Sequence, residues 1–207
     1  MTATRERPIL FSAPMVRAIL EGRKTVTRRE VKKQAALDCL AAGFEPAFLA
    51  LPGNADLCPY GRPGERLWVR EAWAADAQLD AIAPRELSQG EPIRYSADGA
   101  TRQTGCSMIT PGKTRPSIHM PRWTSRILLE ITEVRVERLQ DITYEEAVAE
   151  GVHRDSACRM WAATDEGGAC HKYPVPAFRD LWESINGAGA WDANPWIWVV
   201  EFKRVTP

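Results

Sequence analysis

The sequence has no excess of charge of either sign. Among its 207 residues, 27 are lysine or arginine and 27 are aspartate or glutamate. Proteins that hold nucleic acid over a broad surface usually carry a basic excess, so any such role here must come from a local patch. The chain also has no secretory signal and no apolar run near the roughly 20 residues that a membrane-spanning helix needs. We therefore expect a cytoplasmic protein with no membrane partner.

Close pairs of cysteines are also missing. The five cysteines are irregularly spaced and include no CxxC pair, whereas structural zinc sites usually contain such pairs. Zinc ligation by Cys39 with Cys58, or by Cys158, Cys170 and His171, is conceivable from the residue types alone. In a cytoplasmic chain reduced thiols are the simplest expectation, and we predict neither a metal nor another cofactor.

Several patterned segments in the first part of the chain and its centre predict helices and strands. Ser12 can cap a helix that Gly22 ends, and the segment that follows, KTVTRR, is β-prone. The segment 65–73 reads as a strand entered from a Pro-Gly turn. The strongest strand pattern is 126–139, with a turn or bulge expected near Glu133.

The last part of the chain predicts two helices and a central strand. Thr143 and Glu146 form a capping box, and the apolar spacing in 175–185 is helical. The closing segment, PWIWVVEFKRV, is apolar on both faces, as a central strand would be. The order of elements predicts an α+β fold: a small, mostly antiparallel, partly closed barrel with a few short helices. We expect one domain over residues 1–207, with loosely structured insertions at about 31–63, 74–117 and 153–173.

Several of these segments together resemble a known family. In chain order they are ILEGRKTVTRR, GRPGERLWVRE, LQDITYEEAVAEGV and WVVEFKRV. This ordered set is similar to the ASCH domain of the PUA-like superfamily, whose members are small RNA-associated β-barrels. Longer matching stretches resemble a subgroup often encoded by phages and prophages. The resemblance covers about half of the chain and leaves residues 31–57, 74–115 and 153–173 outside it.

One ASCH branch consists of amidohydrolases that remove the acetyl group from N4-acetylcytidine. The resemblance to that branch implies a catalytic set of Lys24, Thr27 and Glu150. This chain departs from the branch in having Arg28 where an aliphatic residue stands, and in its greater length. The implied activity is therefore amide hydrolysis on an acylated pyrimidine nucleoside or a modified base.

The chemistry of this set depends on the charge state of the lysine. Amide hydrolysis needs a nucleophile, a base and stabilisation of an oxyanion, and the Thr27 hydroxyl is too weak a nucleophile without a base. Lys24 can act as that base only if desolvation and neighbouring arginines lower its pKa. A nearby Glu150 carboxylate would raise the same pKa, so the sequence leaves the balance open.

Strand geometry adds a condition. In a regular strand, residues i and i+3 point to opposite faces, so Lys24 and Thr27 could not act together. We therefore predict that the strand starts, or bulges, near Thr25. A regular strand from Lys24 to Arg29 would instead favour a phosphate clamp.

Other arginines and tryptophans are candidates for contacts with substrate or nucleic acid, because guanidinium groups bind phosphates and indole rings stack on bases. These candidates are Arg23, Arg28, Arg29, Trp68, Arg70, Arg122, Trp123 and Arg126. The simpler hypothesis for the arginine run is a solvated edge strand, and for Trp182 a place in the core. His119 is either a proton-transfer group or a structural histidine.

Three functions follow from these residues. The favoured one is the amidohydrolase, with a nucleoside as its partner. The first alternative is a non-catalytic module that binds RNA or a nucleotide, and it predicts strongly salt-dependent binding. The second is a metal-independent ribonuclease in which Glu150 or His119 moves protons.

Overall fold

A mixed five-stranded sheet forms the centre of the fold. The computed structural model describes residues 4–54, 56–103 and 105–206. Within these residues the helices are α1 (Ala13–Leu20), α2 (Gln34–Ala41), α3 (Pro46–Leu49), α4 (Tyr144–Ala149) and α5 (Pro174–Asn186). The strands are β1 (Glu6–Leu10), β2 (Val26–Glu30), β3 (Arg66–Arg70), β4 (Trp73–Ala74), β5 (Ile93–Tyr95), β6 (Thr101–Arg102), β7 (Leu128–Arg138), β8 (His153–Arg154), β9 (Trp161–Ala162) and β10 (Trp196–Val205). The predicted α+β class is confirmed.

The strand order of the central sheet is β1-β3-β7-β10-β2. Only β1 and β3 pair in parallel, and the other neighbours are antiparallel. As predicted, β10 is an inner strand, between β7 and β2. In the part of the chain that the structure describes, no pairing joins the edge strands β1 and β2, so hydrogen bonding does not close this sheet into the expected barrel.

Apolar side chains cover both faces of the sheet. On one face Trp198 and Val200 belong to a core cluster to which α1 contributes Val16 and α3 contributes Leu49. On the other face Val199 packs in a second cluster with residues of α4 and α5. Because successive residues of a strand point to opposite faces, a strand buried on both faces must be apolar at every position, as the middle of β10 is.

The bulge predicted near Glu133 is present. The pairing of β7 with β10 shifts between Glu201, which faces Glu133, and Phe202, which faces Ile131. Thr132 is therefore the additional residue of β7. A bulge bends a strand without ending it, which explains why β7 runs on for 11 residues.

The segment 31–63 is more ordered than expected. It contains α2 and α3, so the expectation of an irregular insertion was wrong in this part. The N-cap residues of these helices, Lys33 and Glu45, form no capping hydrogen bond through their side chains. The Ser, Thr, Asp or Asn that usually marks the start of a helix in a sequence is therefore missing at both positions. Ala36 and Leu49 are buried against the sheet, so tertiary packing stabilises these short helices.

The segment 74–117 contains more strand than expected. The strands β5 and β6 lie within it and form a three-stranded sheet with β4 at its start. Trp73, Ile93, Tyr95 and Met120 form a separate small core beneath it.

None of the described helices has the length and hydrophobicity to cross a bilayer.

The expectation of reduced thiols was wrong for two cysteines. Cys158 and Cys170 form a disulfide within the segment 153–173. The Asp155 carboxylate accepts hydrogen bonds from the backbone N–H groups of residues 157 and 158, and Trp161 and His171 pair through their backbones. These turns bring the two cysteines together. With both sulfurs in this bond, Cys158 and Cys170 are not available as zinc ligands beside His171 in this structure.

Candidate functional site

Lys24 lies outside the regular part of its strand. Gly22 ends the turn after α1 with φ 76°, and the N–H of Lys24 donates to the carbonyl of Ala18. Lys24 then forms an isolated antiparallel bridge with Glu150, and β2 begins only at Val26. The predicted irregular start of the strand is confirmed, so strand periodicity does not by itself place Lys24 and Thr27 on opposite faces.

Lys24 and Glu150 form a buried ion pair. The ammonium Nζ lies 2.5 Å from Glu150 Oε2 and donates to the Glu150 carbonyl at 2.9 Å. The two side chains are 0% and 3% exposed. Gly151 makes this close approach possible, because a Cβ at its φ of 104° would lie 3.1 Å from the Ala18 Cβ and 3.4 Å from the Lys24 Cβ.

Burial decides the charge balance that the sequence left open. Desolvation lowers the pKa of Lys24 and outweighs the Glu150 carboxylate, which raises it. Arg29 and Arg28 lower it further through charge repulsion. A lysine with a lowered pKa can accept a proton nearer to neutral pH, which is the property that a catalytic base needs.

Arg28 is enclosed by carboxylates. Its side chain is 0% exposed and forms ion pairs with Glu137 and Glu146 at 2.9 Å and with Glu150 at 3.5 Å. Arg135 binds Glu137 and Glu146 as well. Arg28 is thus part of an internal ion network, and through Glu150 this network is connected to Lys24.

A cavity of about 600 Å³ adjoins this network. Thr27, Arg28 and Glu150 contribute to its wall, whereas Lys24 does not and lies behind Glu150. Since β2 is an edge strand, the cavity reaches both faces of the sheet: Trp198 lines it from one side and Phe178 from the other. The volume lies within the range of small-molecule sites.

Thr27 shares the cavity with Glu150 but is not hydrogen-bonded to it. The Thr27 residue is 3% exposed and pairs with Val200 in the sheet. Among the described residues, no hydrogen bond joins its hydroxyl to Lys24 or Glu150. Such contacts are often formed only in the substrate complex, so this geometry is compatible with catalysis.

Other residues around the cavity were only partly anticipated. Arg29 lines the cavity. Arg23 is not among the residues that line it and donates hydrogen bonds to the Glu21 carboxylate and the Gly151 carbonyl. Sequence reasoning missed Lys33 and Tyr60, because both lie in the segment assigned to an irregular insertion. Further residues that line the cavity and were not predicted to do so are Lys32, Leu181, Trp182 and Ile185.

The structure separates Trp68, Arg70 and Arg122 from this site. Trp68 and Arg70 belong to β3, which β7 and β10 separate from β2. The guanidinium groups of Arg70 and Arg122 lie 4.8 and 6.0 Å from the Trp68 ring. Arg122 also pairs with Glu6 at 2.7 Å.

Arg126 and Trp123 belong to the same distant region. Arg126 holds Glu71 through two hydrogen bonds of 2.9 Å and also binds Asp98. Trp123 lies under the guanidinium of Arg102 at 5.5 Å. Both predicted residues are thus engaged in contacts within the protein.

Comparison of the chain with protein-family models, curated proteins and solved structures finds no match.

Proposed function

We propose that the protein is an amidohydrolase that cleaves the exocyclic amide of an acylated pyrimidine nucleoside such as N4-acetylcytidine. The observation that carries this proposal is the buried Lys24–Glu150 ion pair behind a cavity wall that also contains Thr27. The resemblance to the ASCH amidohydrolases supports the same three residues. The PUA-like superfamily, the phage-type subgroup and a cytoplasmic location belong to this proposal too, although a disulfide is more typical of oxidising compartments.

The three residues divide the reaction between them. The Thr27 hydroxyl attacks the acyl carbon, and its proton passes to the neutral Lys24 amine, either directly or through the Glu150 carboxylate. When the C–N bond breaks, the proton returns from Lys24 through the Glu150 carboxylate, which lines the cavity, to the exocyclic nitrogen, and cytidine leaves. Water then hydrolyses the ester on Thr27 and releases the carboxylic acid.

A nucleotide-binding module without catalysis is the second candidate. Arg29 and Lys33 at the cavity have no ion pair among the described residues and favour an anionic ligand. The ribonuclease hypothesis has less support, because His119 is absent from the described residues that line the cavity beside Glu150.

The deciding experiment compares Thr27→Val with Thr27→Ser. Valine keeps the volume and β-branching of threonine but removes the hydroxyl, whereas serine keeps the hydroxyl. We expect Thr27→Val to lower turnover of N4-acetylcytidine by about 100-fold or more, the scale of a lost catalytic group, and Thr27→Ser to retain most of it. The measurement is cytidine release followed by chromatography. Wild-type turnover should rise with pH, because the neutral form of Lys24 is the base.

Two results would contradict the proposal. One is the absence of turnover by folded wild-type protein, and the other is equal activity of Thr27→Val and Thr27→Ser. Circular dichroism and urea unfolding of both variants separate a loss of the hydroxyl from a loss of structure.

A further inference from the structure

Two of the cations at the cavity, Arg29 and Lys33, lack carboxylate partners among the described residues, whereas Arg28 in the same wall has three. Arg17, Arg126 and Arg135 each bind at least two carboxylates. Arg29 donates instead to the Leu10 carbonyl at 2.7 Å, and Lys33 donates to the Asp56 carbonyl at 2.6 Å. Among the described residues, neither has a carboxylate within ion-pairing distance.

The side chain of Arg29 also retains an unused donor. Its Nε is buried and has no hydrogen-bond partner among the described residues, a state that it shares with the Nε atoms of five other arginines. The rest of the guanidinium is fixed over the Phe11 ring at 5.3 Å and by the bond to Leu10. A buried guanidinium N–H without an acceptor is unfavourable, and an anionic oxygen is its strongest acceptor. Arginine is particularly suited to phosphate because its donors match the spacing of the oxygens.

Acidic residues near these cations reduce the local charge only in part. Glu30 lines the cavity but lies 3.6 Å from the exposed Lys32. Asp56 lines it as well, and its backbone carbonyl binds Lys33. With Lys32 paired to Glu30, Arg29 and Lys33 face the single carboxylate of Asp56. The cavity is therefore positive on the side of the β2–α2 connection.

The opposite wall is apolar and aromatic, although Phe178 and Trp182 are themselves core residues, 3% and 5% exposed. Phe178, Leu181 and Trp182 of α5 line it, and Tyr60 contributes a ring from the other side of the sheet edge. Aromatic rings stack on bases without regard to sequence. The cavity thus combines an aromatic part with a cationic part within about 600 Å³, the scale of a single small ligand.

We propose that the cavity binds a mononucleotide, with the phosphate held by Arg29 and Lys33 and the base against the aromatic wall. The identity of the base as a pyrimidine rests on the proposed function, whereas the requirement for a phosphate does not. The preferred substrate of this enzyme would then be an acylated nucleotide rather than the free nucleoside.

Calorimetric titration of the full chain with cytidine, cytidine 5′-monophosphate, cytidine 3′-monophosphate and inorganic phosphate tests this inference. We expect one of the two monophosphates to bind at least about tenfold more tightly than cytidine, and more weakly as salt increases. Arg29→Gln should abolish this preference and Lys33→Gln should reduce it, with little change in cytidine binding. Lys33 is exposed, so its variant keeps the test valid if Arg29→Gln does not fold. Lys203→Gln, which alters an exposed lysine paired with Glu130, is the matched control.

Equal affinity for cytidine and both monophosphates would overturn the inference, as would inorganic phosphate binding as tightly as the best nucleotide. A ten-residue single-stranded RNA that binds far more tightly than every mononucleotide would also overturn it, in favour of an RNA surface. Tight nucleotide binding without hydrolysis of N4-acetylcytidine would refute the proposed function but not this inference. Hydrolysis of N4-acetylcytidine together with equal binding of cytidine and both monophosphates would support the proposed function and refute this inference.

Discussion

Two regions of this chain have the same sequence signature, arginines beside aromatic residues, but differ in how their charges are neutralised. Around β3, the guanidinium groups of Arg122 and Arg126 are bound by carboxylates from distant parts of the chain. Around β2, Arg28 is likewise bound by carboxylates, but its neighbours Arg29 and Lys33 bind only backbone carbonyls, and both border a cavity. The comparison shows that an arginine-rich segment indicates a ligand site only where the fold leaves its charge available.

The largest expected effect is at the β2 region, where Lys24→Met removes the proposed base. Turnover of N4-acetylcytidine should fall by about 100- to 10,000-fold, as for other lost general bases. Stability should fall by about 3–5 kcal/mol, because Glu150 remains buried without its closest partner. Product chromatography and urea unfolding measure the two losses.

Two further variants separate catalysis from folding. Lys24→Met combined with Glu150→Leu removes both charges. This double variant should be more stable than Lys24→Met, because no unpaired buried carboxylate remains, but it should stay inactive, because the base is still missing. Lys203→Met breaks an exposed lysine–glutamate pair in the same sheet and should cost less than about 1 kcal/mol. If Lys24→Met keeps more than a tenth of the wild-type turnover, Lys24 is not the base.

The next effect is at the β3 region and falls on stability. Arg126→Gln leaves Glu71, whose side chain is 1% exposed, without its bidentate partner, so we expect a loss of about 3 kcal/mol at neutral pH. Burial already raises the pKa of Glu71 above 4.5, and Arg126 opposes that rise. Without Arg126 the folded-state pKa rises further. Because the pKa of Glu71 is higher in the folded state than in the unfolded state, protonation of Glu71 stabilises the fold. This contribution is fully present below the unfolded-state pKa and is lost as the pH rises through the folded-state pKa.

The variant should therefore be closer to wild type in stability at pH 5 than at pH 8. Urea unfolding at both pH values, with the exposed Arg94→Gln as control, measures this difference. A loss that does not change with pH would mean that Glu71 is not the group left unpaired.

Local sequence patterns were sufficient for those features whose cause is local. The capping box of Thr143 and Glu146 forms as predicted, and the apolar run of β10 identified an inner strand. The bulge near Glu133 was also predictable from strand periodicity, whereas the break before Val26 was predicted because the resemblance required Lys24 and Thr27 to act together. Each of these features depends on residues close together in the chain.

The features that were missed depend on contacts between distant residues. The first two carboxylates that enclose Arg28 come from positions 137 and 146, and no spacing rule connects them to β2. Likewise, α2 and α3 are stabilised by packing on the sheet rather than by caps. For Lys24, the partner Glu150 was available only through the resemblance, and the direction of its pKa required the burial that the fold provides.

The smallest expected effect is that of Arg122→Gln on nucleic-acid binding. Arg122 is paired with Glu6 and lies beside Trp68, so its charge is already neutralised within the protein. Exposed pairs of this kind contribute at most about 1 kcal/mol. We expect the variant to change the affinity for a ten-residue single-stranded RNA by less than about twofold and to leave its salt dependence unaltered.

Fluorescence anisotropy at several salt concentrations is the measurement, since removing a phosphate contact would lower the salt slope by about one unit. A change of that size would place a second nucleic-acid surface at β3. The distinction between the two regions would then lie in the cavity at β2 rather than in the neutralisation of their charges.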